Sequence, residues 1–371
     1  MSDRRRALSF LPATAVLELT YRCNHQCLFC SCPWENDQGP FIRRTELSTD
    51  QWKSAITRLC EMGVSNIAFS GGEPLERRDL PAIIAHAASC QTEHIETVNG
   101  ALASHHAAPH LYLLSNGRLM DNSTLEMCRT HGVQLSMSLP GLETFARHTG
   151  FDGADGVLQA FTRAKSLGLK TVANITVTKL NLHELEHVIA AALLSGAEQI
   201  LLNRFLPGGR GLRFEQLLAL SGDDLTQMLD TAETALQTAG RFGSLGTELP
   251  RCFVDPTRYH HLQVSTRCSA AIQFFVIGPS GFIRVCNHSP INLNHIDDIS
   301  GLKKNEYWVR FVQKRYLPVK CFDCHQRSEC DGGCREAAHV VGGSPDSPDV
   351  LLTERDGELN NACNGAASLR A

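Results

Sequence analysis

The feature that most narrows what this chain can fold into is the placement of its thiols. Fifteen of 371 residues are cysteine, and the informative ones fall in two clumps, one near each end. The first is Cys23-x3-Cys27-x2-Cys30, just after the apolar run Ala15-Val16-Leu17-Glu18-Leu19. Three thiols on one short loop can hold three irons of a cubane and leave the fourth iron without a protein ligand. Such an open iron suits chelation of a small molecule better than plain electron transfer. The same spacing also serves zinc, which usually recruits a fourth Cys or His, and three unrelated buried thiols would form no site.

Ser70-Gly71-Gly72-Glu73-Pro74 follows Asn66-Ile67-Ala68-Phe69 and so stands at the C-terminal end of a strand. Paired glycines let backbone close in on a ligand, and Glu73 can receive an ammonium group. With the cysteine loop and this GGEP turn in that order, the chain resembles the radical S-adenosylmethionine (SAM) superfamily. The resemblance implies a [4Fe-4S] cluster on Cys23, Cys27 and Cys30, whose open iron chelates the amino and carboxylate groups of SAM. Reductive cleavage then gives methionine and a 5′-deoxyadenosyl radical that abstracts a substrate hydrogen. It further implies SAM contacts from Gly71, Gly72, Glu73 and Pro74, and from Phe29 at the aromatic position beside the adenine. Cys32 is expected to stand by, because a fourth thiol would close the position that catalytic metal sites keep open.

Along the chain, Ser48 or Thr49 caps a helix carrying Trp52, Ile56, Leu59 and Cys60 at helical spacing. A helix over Leu80 to Ala88 follows the GGEP turn. Ser89 to Pro109 reads as an irregular polar insertion, its His94, His105, His106 and His110 belonging to a solvated loop. Further strands are expected at Leu111–Leu114, Val133–Leu139, Thr171–Val177 and Gln199–Arg204, with helices near Asp121–Thr130 and His183–Leu194. Six strand–helix alternations argue for parallel strands joined by crossover helices. The cysteine loop, GGEP, Ser115-Asn116-Gly117 and Ser138-Leu139-Pro140-Gly141 all follow strands, the end where barrels build active sites. The alternation is α/β; the resemblance implies a partial (β/α)6 TIM-type barrel, and a small cysteine-rich domain with a β-hairpin is expected to follow it. By the resemblance, Ser115 and Ser138 reach the SAM ribose and carboxylate; read alone, a strand-end serine is as often bonded to backbone. Relatives often carry an Arg before the next Gly, where Thr149 precedes Gly150 here and Arg147 lies nearby.

Asn203 to Gly211 is turn-rich and ends the barrel, and Ser221 to Ala239 reads as an amphipathic bridging helix. The expected divisions are residues 1–215 for the core, 216–250 for the bridge and 251–371 for the cysteine-rich part. In that last part Cys268 precedes Gly281 and Cys286, then come Cys321-x2-Cys324-x5-Cys330-x3-Cys334 and Cys363. Phe274–Ile277 and Phe282–Val285 form a hairpin around Gly278-Pro279-Ser280-Gly281. Zinc would also accept such pairs. The seven thiols together resemble the SPASM extension, which holds two auxiliary Fe-S clusters. The resemblance assigns Cys321, Cys324, Cys330 and Cys363 to an outer cluster and Cys268, Cys286 and Cys334 to an inner one. Cys252 is the nearest upstream candidate for the missing inner ligand; a free core thiol or an open iron are the alternatives.

With 43% apolar residues, 20% charged and a net charge of −4 without a basic run, nothing points to nucleic acid as a partner. A large chain with thiols at metal-like spacing fits reduced cytoplasm rather than a secreted disulfide scaffold. Arg4-Arg5-Arg6 before Ala7–Leu11 imitates a secretory signal, but Pro12 interrupts it and Glu18 follows soon after. No stretch is long enough for a membrane helix. Proteins of the SPASM kind include peptide maturases, sulfatase maturases and enzymes of sugars. Sulfatase maturases place an acid after the hairpin cysteine, where this chain has Asn287. The leading expectation is an enzyme that crosslinks, epimerises or otherwise oxidises a ribosomally made peptide, fed by an external electron donor such as flavodoxin or ferredoxin. About a dozen residues precede the first strand, so a leader peptide is expected to be held by a separate protein or by the barrel. The alternative is a dehydrogenase or decarboxylase of a sugar or other small molecule. A mere electron carrier or zinc scaffold has no use for GGEP.

Overall fold

The computed structural model describes residues 10–98 and 101–353; Cys363 lies outside the described residues. The first half alternates as expected: β1 (Thr14–Glu18), α1 (Thr49–Glu61), β2 (Asn66–Ser70), α2 (Leu80–Ser89), a hairpin of β3 (Thr92–Val98) and β4 (Ala101–Ala107), then β5 (His110–Ser115), α3 (Asn122–Thr130) and β6 (Val133–Ser138). Short α4 (Phe145–Thr149) and α5 (Ala154–Ser166) lead to β7 (Thr171–Val177), α6 (Leu185–Ser195) and β8 (Gln199–Arg204). After a turn of helix α7 (Glu215–Leu218) come α8 (Gly222–Ala239), β9 (Gly243–Leu245), β10 (Leu262–Gln263), β11 (Phe274–Ile277), β12 (Ile283–Arg284), α9 (Glu306–Val312), α10 (Arg335–Gly342) and α11 (Val350–Thr353).

The local causes are visible. Ser48 and Gln51 close a capping box on α1, Ser221 and Asp224 close one on α8, and Gly240 ends α8 in the left-handed conformation. Trp52, Ile56, Leu59 and Cys60 of α1 sink into the core under β1 and β2. In β6 and β7 burial alternates, so Leu135, Met137, Ala173 and Ile175 face the helices while Ser136, Ser138, Asn174 and Thr176 face the opposite way.

The six strands of the alternation stand side by side and parallel, in the order β8-β7-β6-β5-β2-β1, which is the partial barrel. Both edges are extended. β9 and β10 continue the sheet beyond β8, and they were not legible because two- and three-residue strands show no period. On the other edge β11 runs parallel to β1, with Thr14 opposite Phe274 and Leu17 opposite Ile277, and β12 pairs back on it antiparallel. The expected hairpin thus covers the β1 edge, where unpaired backbone groups would otherwise be exposed.

Residues 89–109 differ from the expected solvated loop. Within that range Thr92–Val98 and Ala101–Ala107 pair as the β3–β4 hairpin, with Thr92 and His94 buried and Ile95 exposed. The polar face hid the alternation. Thr92 Oγ1 donates to Cys60 O at 3.0 Å, His94 Nε2 lies 3.0 Å from Ala108 O, and His94 stacks on His105 with ring centroids 5.3 Å apart. No helix among the described residues is long and apolar enough to cross a membrane.

Candidate active site

The C-terminal ends of the barrel strands open on a cavity of ≈ 550 Å³. Cys23, Cys27, Cys30 and Phe29 line it, together with the Gly71-Gly72-Glu73 turn, Ser115, and Cys268, Cys286 and Cys334. Two of the three-thiol sets expected from the sequence therefore face a common space.

The cysteine loop is held by backbone on two flanks. Gln26 N donates to Thr149 O and Leu28 N to His148 O, each at 2.8 Å, at the end of α4. Gly72 N donates to Thr20 O and Glu73 N to Arg22 O, again at 2.8 Å. A Cβ on Gly72 would stand 2.1 Å from Arg22 O, so the paired glycines serve close approach of one loop to another. Gly209, at φ +48°, approaches Cys32 O and Cys30 O in the same way from the turn after β8. Thr149, buried, gives its hydroxyl to Phe145 O, while Arg147 is exposed; neither stands in the cavity wall.

Glu73 is a bracket. Its Oε1 accepts from Ser115 Oγ at 2.9 Å and Leu75 N at 3.1 Å, and its Oε2 accepts from Asn116 N at 2.8 Å. Burial pushes its carboxyl up to about 7 against the pull of these donors. Ser115 Oγ donates to Glu73 and accepts from Gly117 N, which leaves one lone pair on a hydroxyl that lines the cavity. Ser138 lines the cavity, and beside it Ser136 Oγ is buried without a hydrogen-bond partner. Pro74, buried, opens the short helical turn Pro74–Glu76 behind the glycines. Asn116 Nδ2 donates to Asn24 Oδ1 at 2.7 Å and lies 3.9 Å from Cys23 Sγ.

Reading the sequence missed Ser136, Asn174, Thr176, Glu248 and Glu336, all in the cavity wall. A signal existed for the first three: polar residues at every second position of otherwise apolar strands belong to the barrel's inner face. The two glutamates carried none. Arg204, at the end of β8, pairs with buried Asp349 at 2.7 Å, and Asp349 Oδ2 accepts from Cys334 N at 2.7 Å. Asp331 Oδ2 likewise takes Cys268 N at 2.8 Å and Lys314 Nζ at 2.6 Å. Carboxylates thus fix the backbone of two inner thiols, one of them through the barrel's last strand.

Burial pushes the thiols of Cys23, Cys27, Cys268, Cys286 and Cys334 up, Cys23 to about 11 and Cys334 to about 12. Such thiols hold protons until a metal displaces them. No three His, Cys, Asp or Glu side chains among the described residues converge as ligands of one ion. None of the fourteen cysteines among the described residues is in a disulfide.

The remaining thiols lie elsewhere. Cys321, Cys324 and Cys330 line a second cavity of ≈ 90 Å³, and Cys252 lines that cavity with them rather than the inner site for which it was a candidate. The turn carrying Cys252 packs on the Cys330 segment, where Arg251 N donates to Cys330 Sγ at 3.4 Å. Cys32 lines the large cavity, its thiol 3.9 Å from Gly71 O.

A partial barrel with a three-thiol loop and GGEP turn at its mouth defines a radical SAM domain. Residues 17–192 match the Radical SAM superfamily, and the chain carries that domain. It is similar to a PqqA peptide cyclase of Xanthomonas campestris pv. campestris, 29% identical over 345 residues, covering 90% of this chain and 84% of the relative. A PqqA peptide cyclase of Granulibacter bethesdensis is 27% identical over 350 residues, covering 91% and 86%. Among solved structures the fold matches Streptococcus suis SuiB bound to S-adenosylmethionine, with TM-score 0.67 and 16% identity over 92% of this chain and 77% of that one. It also matches anSMEcpe with bound AdoMet and the Cp18Cys peptide, with TM-score 0.67 and 17% identity over 95% and 99%.

Proposed function

We propose that this radical SAM enzyme modifies a ribosomally made peptide. One observation carries the reading: the loop thiols Cys23, Cys27 and Cys30 face Cys268, Cys286 and Cys334 across a single cavity at the barrel mouth. The full-length likeness to proteins named PqqA peptide cyclase supports a peptide as substrate.

The residues fit the cofactors such an enzyme uses. Cys23, Cys27 and Cys30 would hold the [4Fe-4S] cluster to which SAM binds, and Cys268, Cys286 and Cys334 the inner auxiliary one. Bound there, reduced cluster and SAM supply a 5′-deoxyadenosyl radical that takes a hydrogen atom from the substrate. The chain's own part is placement. A carboxylate offers about four lone-pair sites, and Glu73 has three filled by Ser115, Leu75 and Asn116. The remaining one receives the amino group of SAM beside the glycines. Phe29 covers the adenine, and Ser136, whose hydroxyl lacks a partner, joins Ser138 as donor to the rest of SAM. Glu248 and Glu336, on the inner-thiol side of the cavity, stand where a substrate proton can be collected. An external one-electron donor such as flavodoxin or ferredoxin, a reduced cytoplasmic setting and, for a leader peptide, a separate binding protein complete this reading.

The test is anaerobic reconstitution followed by assay with SAM, a reductant and the short peptide encoded nearest the gene. Peptide with an altered mass is expected together with 5′-deoxyadenosine. Changing Cys23, Cys27 and Cys30 together to Ala should remove about four irons and all 5′-deoxyadenosine. Stoichiometric zinc without iron overturns the cluster assignment. Turnover of a sugar with every short peptide untouched overturns the substrate class.

A further inference from the structure

A third segment holds the cysteine loop besides α4 and the GGEP turn. After β8 the chain turns at Gly208 and runs on as the short helical stretch Gly209–Phe214. Gly211 N donates to Cys30 O at 3.1 Å, and a Cβ on Gly209 would run into Cys32 O and stand 2.7 Å from Cys30 O. Glycine on both sides thus brings the residue between them, Arg210, against the loop.

Arg210 Nη1 donates to Cys27 O at 3.3 Å, and its Nη2 pairs with Glu35, in the helical turn Pro33–Glu35 that follows the loop. The other oxygen of Glu35 takes Arg43 Nη2 at 2.9 Å. Arg210 is not among the residues that line the large cavity, so it meets the loop from outside the SAM pocket. The Arg210 and Glu35 side chains are 23% and 17% exposed, and water screens their charges only in part. The thiols feel both. Burial pushes Cys23 and Cys27 up; the Glu35 charge adds to the rise at Cys23, and the Arg210 charge opposes it at Cys27. Farther along, Arg213 pairs with Asp37, but at 50% and 70% exposure that pair adds little.

We propose that Arg210 is a positioning residue of the first cluster: its guanidinium holds the Cys27 carbonyl and its charge raises the cluster's reduction potential, with Glu35 as the counter-charge that lowers it. The proposal rests on the reading that Cys23, Cys27 and Cys30 hold a [4Fe-4S] cluster. The step it governs is the transfer of one electron from the external one-electron donor to that cluster. The donor is oxidised, the cluster reduced, and no proton or bond is exchanged. Reduction adds one negative charge beside the loop. A fixed cation nearby favours the reduced form and a fixed anion disfavours it, and surrounding charge is among the quantities that set the potential of an iron-sulfur cluster.

The test is a redox titration of full-length, anaerobically reconstituted wild type, Arg210→Gln, Arg210→Lys and Glu35→Gln, followed by electron paramagnetic resonance. The signal that changes when SAM is added reports the first cluster and separates it from the auxiliary ones. Arg210→Gln should lower the midpoint by about 59 mV, a tenfold fall in reduced over oxidised cluster at a fixed potential. Arg210→Lys keeps the charge and should stay near the wild-type midpoint. Glu35→Gln leaves Arg210 in place and should raise the midpoint. An unmoved midpoint in Arg210→Gln with its iron complete overturns the proposal, and so does an equal fall in Arg210→Lys. If Arg210→Gln sheds the iron of the first site, Glu35→Gln decides: a rise supports the charge role, and no rise overturns it. Wild type without iron, or with iron but no SAM-responsive signal, would instead sink the cluster reading itself.

Discussion

Glu18 at the end of β1 and Arg284 in β12, 266 residues apart, form an ion pair closed off from solvent. Arg284 Nη1 also donates to Asn287 O at 3.0 Å and Ser289 O at 2.8 Å, and its guanidinium lies 5.7 Å from the ring centre of Trp34. One side chain therefore spans from the strand feeding the Cys23–Cys30 loop to the segment just after Cys286. The pair ties together the two thiol-bearing segments that line the cavity.

Arg284→Met should leave Glu18 as an unpaired buried carboxylate, a change that costs about 3–5 kcal/mol. Burial raises the Glu18 carboxyl and Arg284 opposes that rise, so removing Arg284 raises it further. A folded-state pKa above the unfolded one means stability held at low pH and lost as pH rises through the folded value. The variant's denaturation midpoint should therefore fall more at neutral pH than in acid. Glu18→Leu added to Arg284→Met should recover much of the loss. Equal midpoints for wild type and Arg284→Met would show the pair to be idle.

Gly72→Ala tests whether the GGEP turn holds the cysteine loop. The added Cβ meets Arg22 O, a backbone atom that cannot rotate away. One of the two loops must move, breaking the Glu73 N to Arg22 O bond. The chain should fold, with iron at the first site and SAM-cleavage rate down by about tenfold or more, the loss that about 1.4 kcal/mol of misplacement causes, while iron at the auxiliary sites stays. Unchanged iron and SAM cleavage would show that the turn does not hold the cysteine loop.

What was legible follows from period and punctuation. β7 and β8 match their expected ends because Thr171–Val177 and Gln199–Arg204 are bounded by turns and alternate cleanly. The cysteine loop and GGEP were legible because metal spacing and paired glycines leave a local mark. The β3–β4 hairpin was not, because it buries the polar Thr92 and His94 and exposes Ile95, so no apolar alternation marks its core side. Neither Glu18–Arg284 nor Arg204–Asp349 could be read, since nothing in a sequence pairs charges 266 or 145 residues apart. Cys252 shows the same limit: its thiol was visible, but which cavity it faces depends on Arg251 meeting Glu329 and Cys330.

Glu73 supplies a pH dependence. Its folded-state pKa of about 7 stands above the usual 4.5 because burial outweighs its hydrogen bonds. For the protein without SAM, this group's contribution to stability is complete below 4.5 and lost as pH rises through 7. With the SAM amino group placed on Glu73 as proposed above, binding would favour the carboxylate and expel the proton held below about 7. SAM affinity should weaken by up to about tenfold per pH unit below about 7 and level off above it. Binding titrations at several pH values on reconstituted enzyme check this, and Glu73→Gln should flatten the curve at a weaker affinity. A step that survives in Glu73→Gln would assign the titration to another group.

The last prediction separates making the radical from handling the electron left on the substrate once its hydrogen is gone. The Cys23–Cys30 loop belongs to the barrel and is fastened by Thr149, His148 and Thr20, none of which touches the outer cavity. Cys321→Ala with Cys324→Ala should strip the outer cluster, leaving about eight irons, the two remaining cubanes. Slow formation of 5′-deoxyadenosine without substrate should persist, because its machinery is intact. Product formed on the true peptide should collapse, because the electron has lost its way out through the extension. Metal binding and folding are coupled in ligand-dense modules, so the iron count and solubility of the variant must be read first. If the soluble eight-iron variant makes product at the wild-type rate, the outer cluster is a staple for the fold, and the electron leaves by the inner one alone.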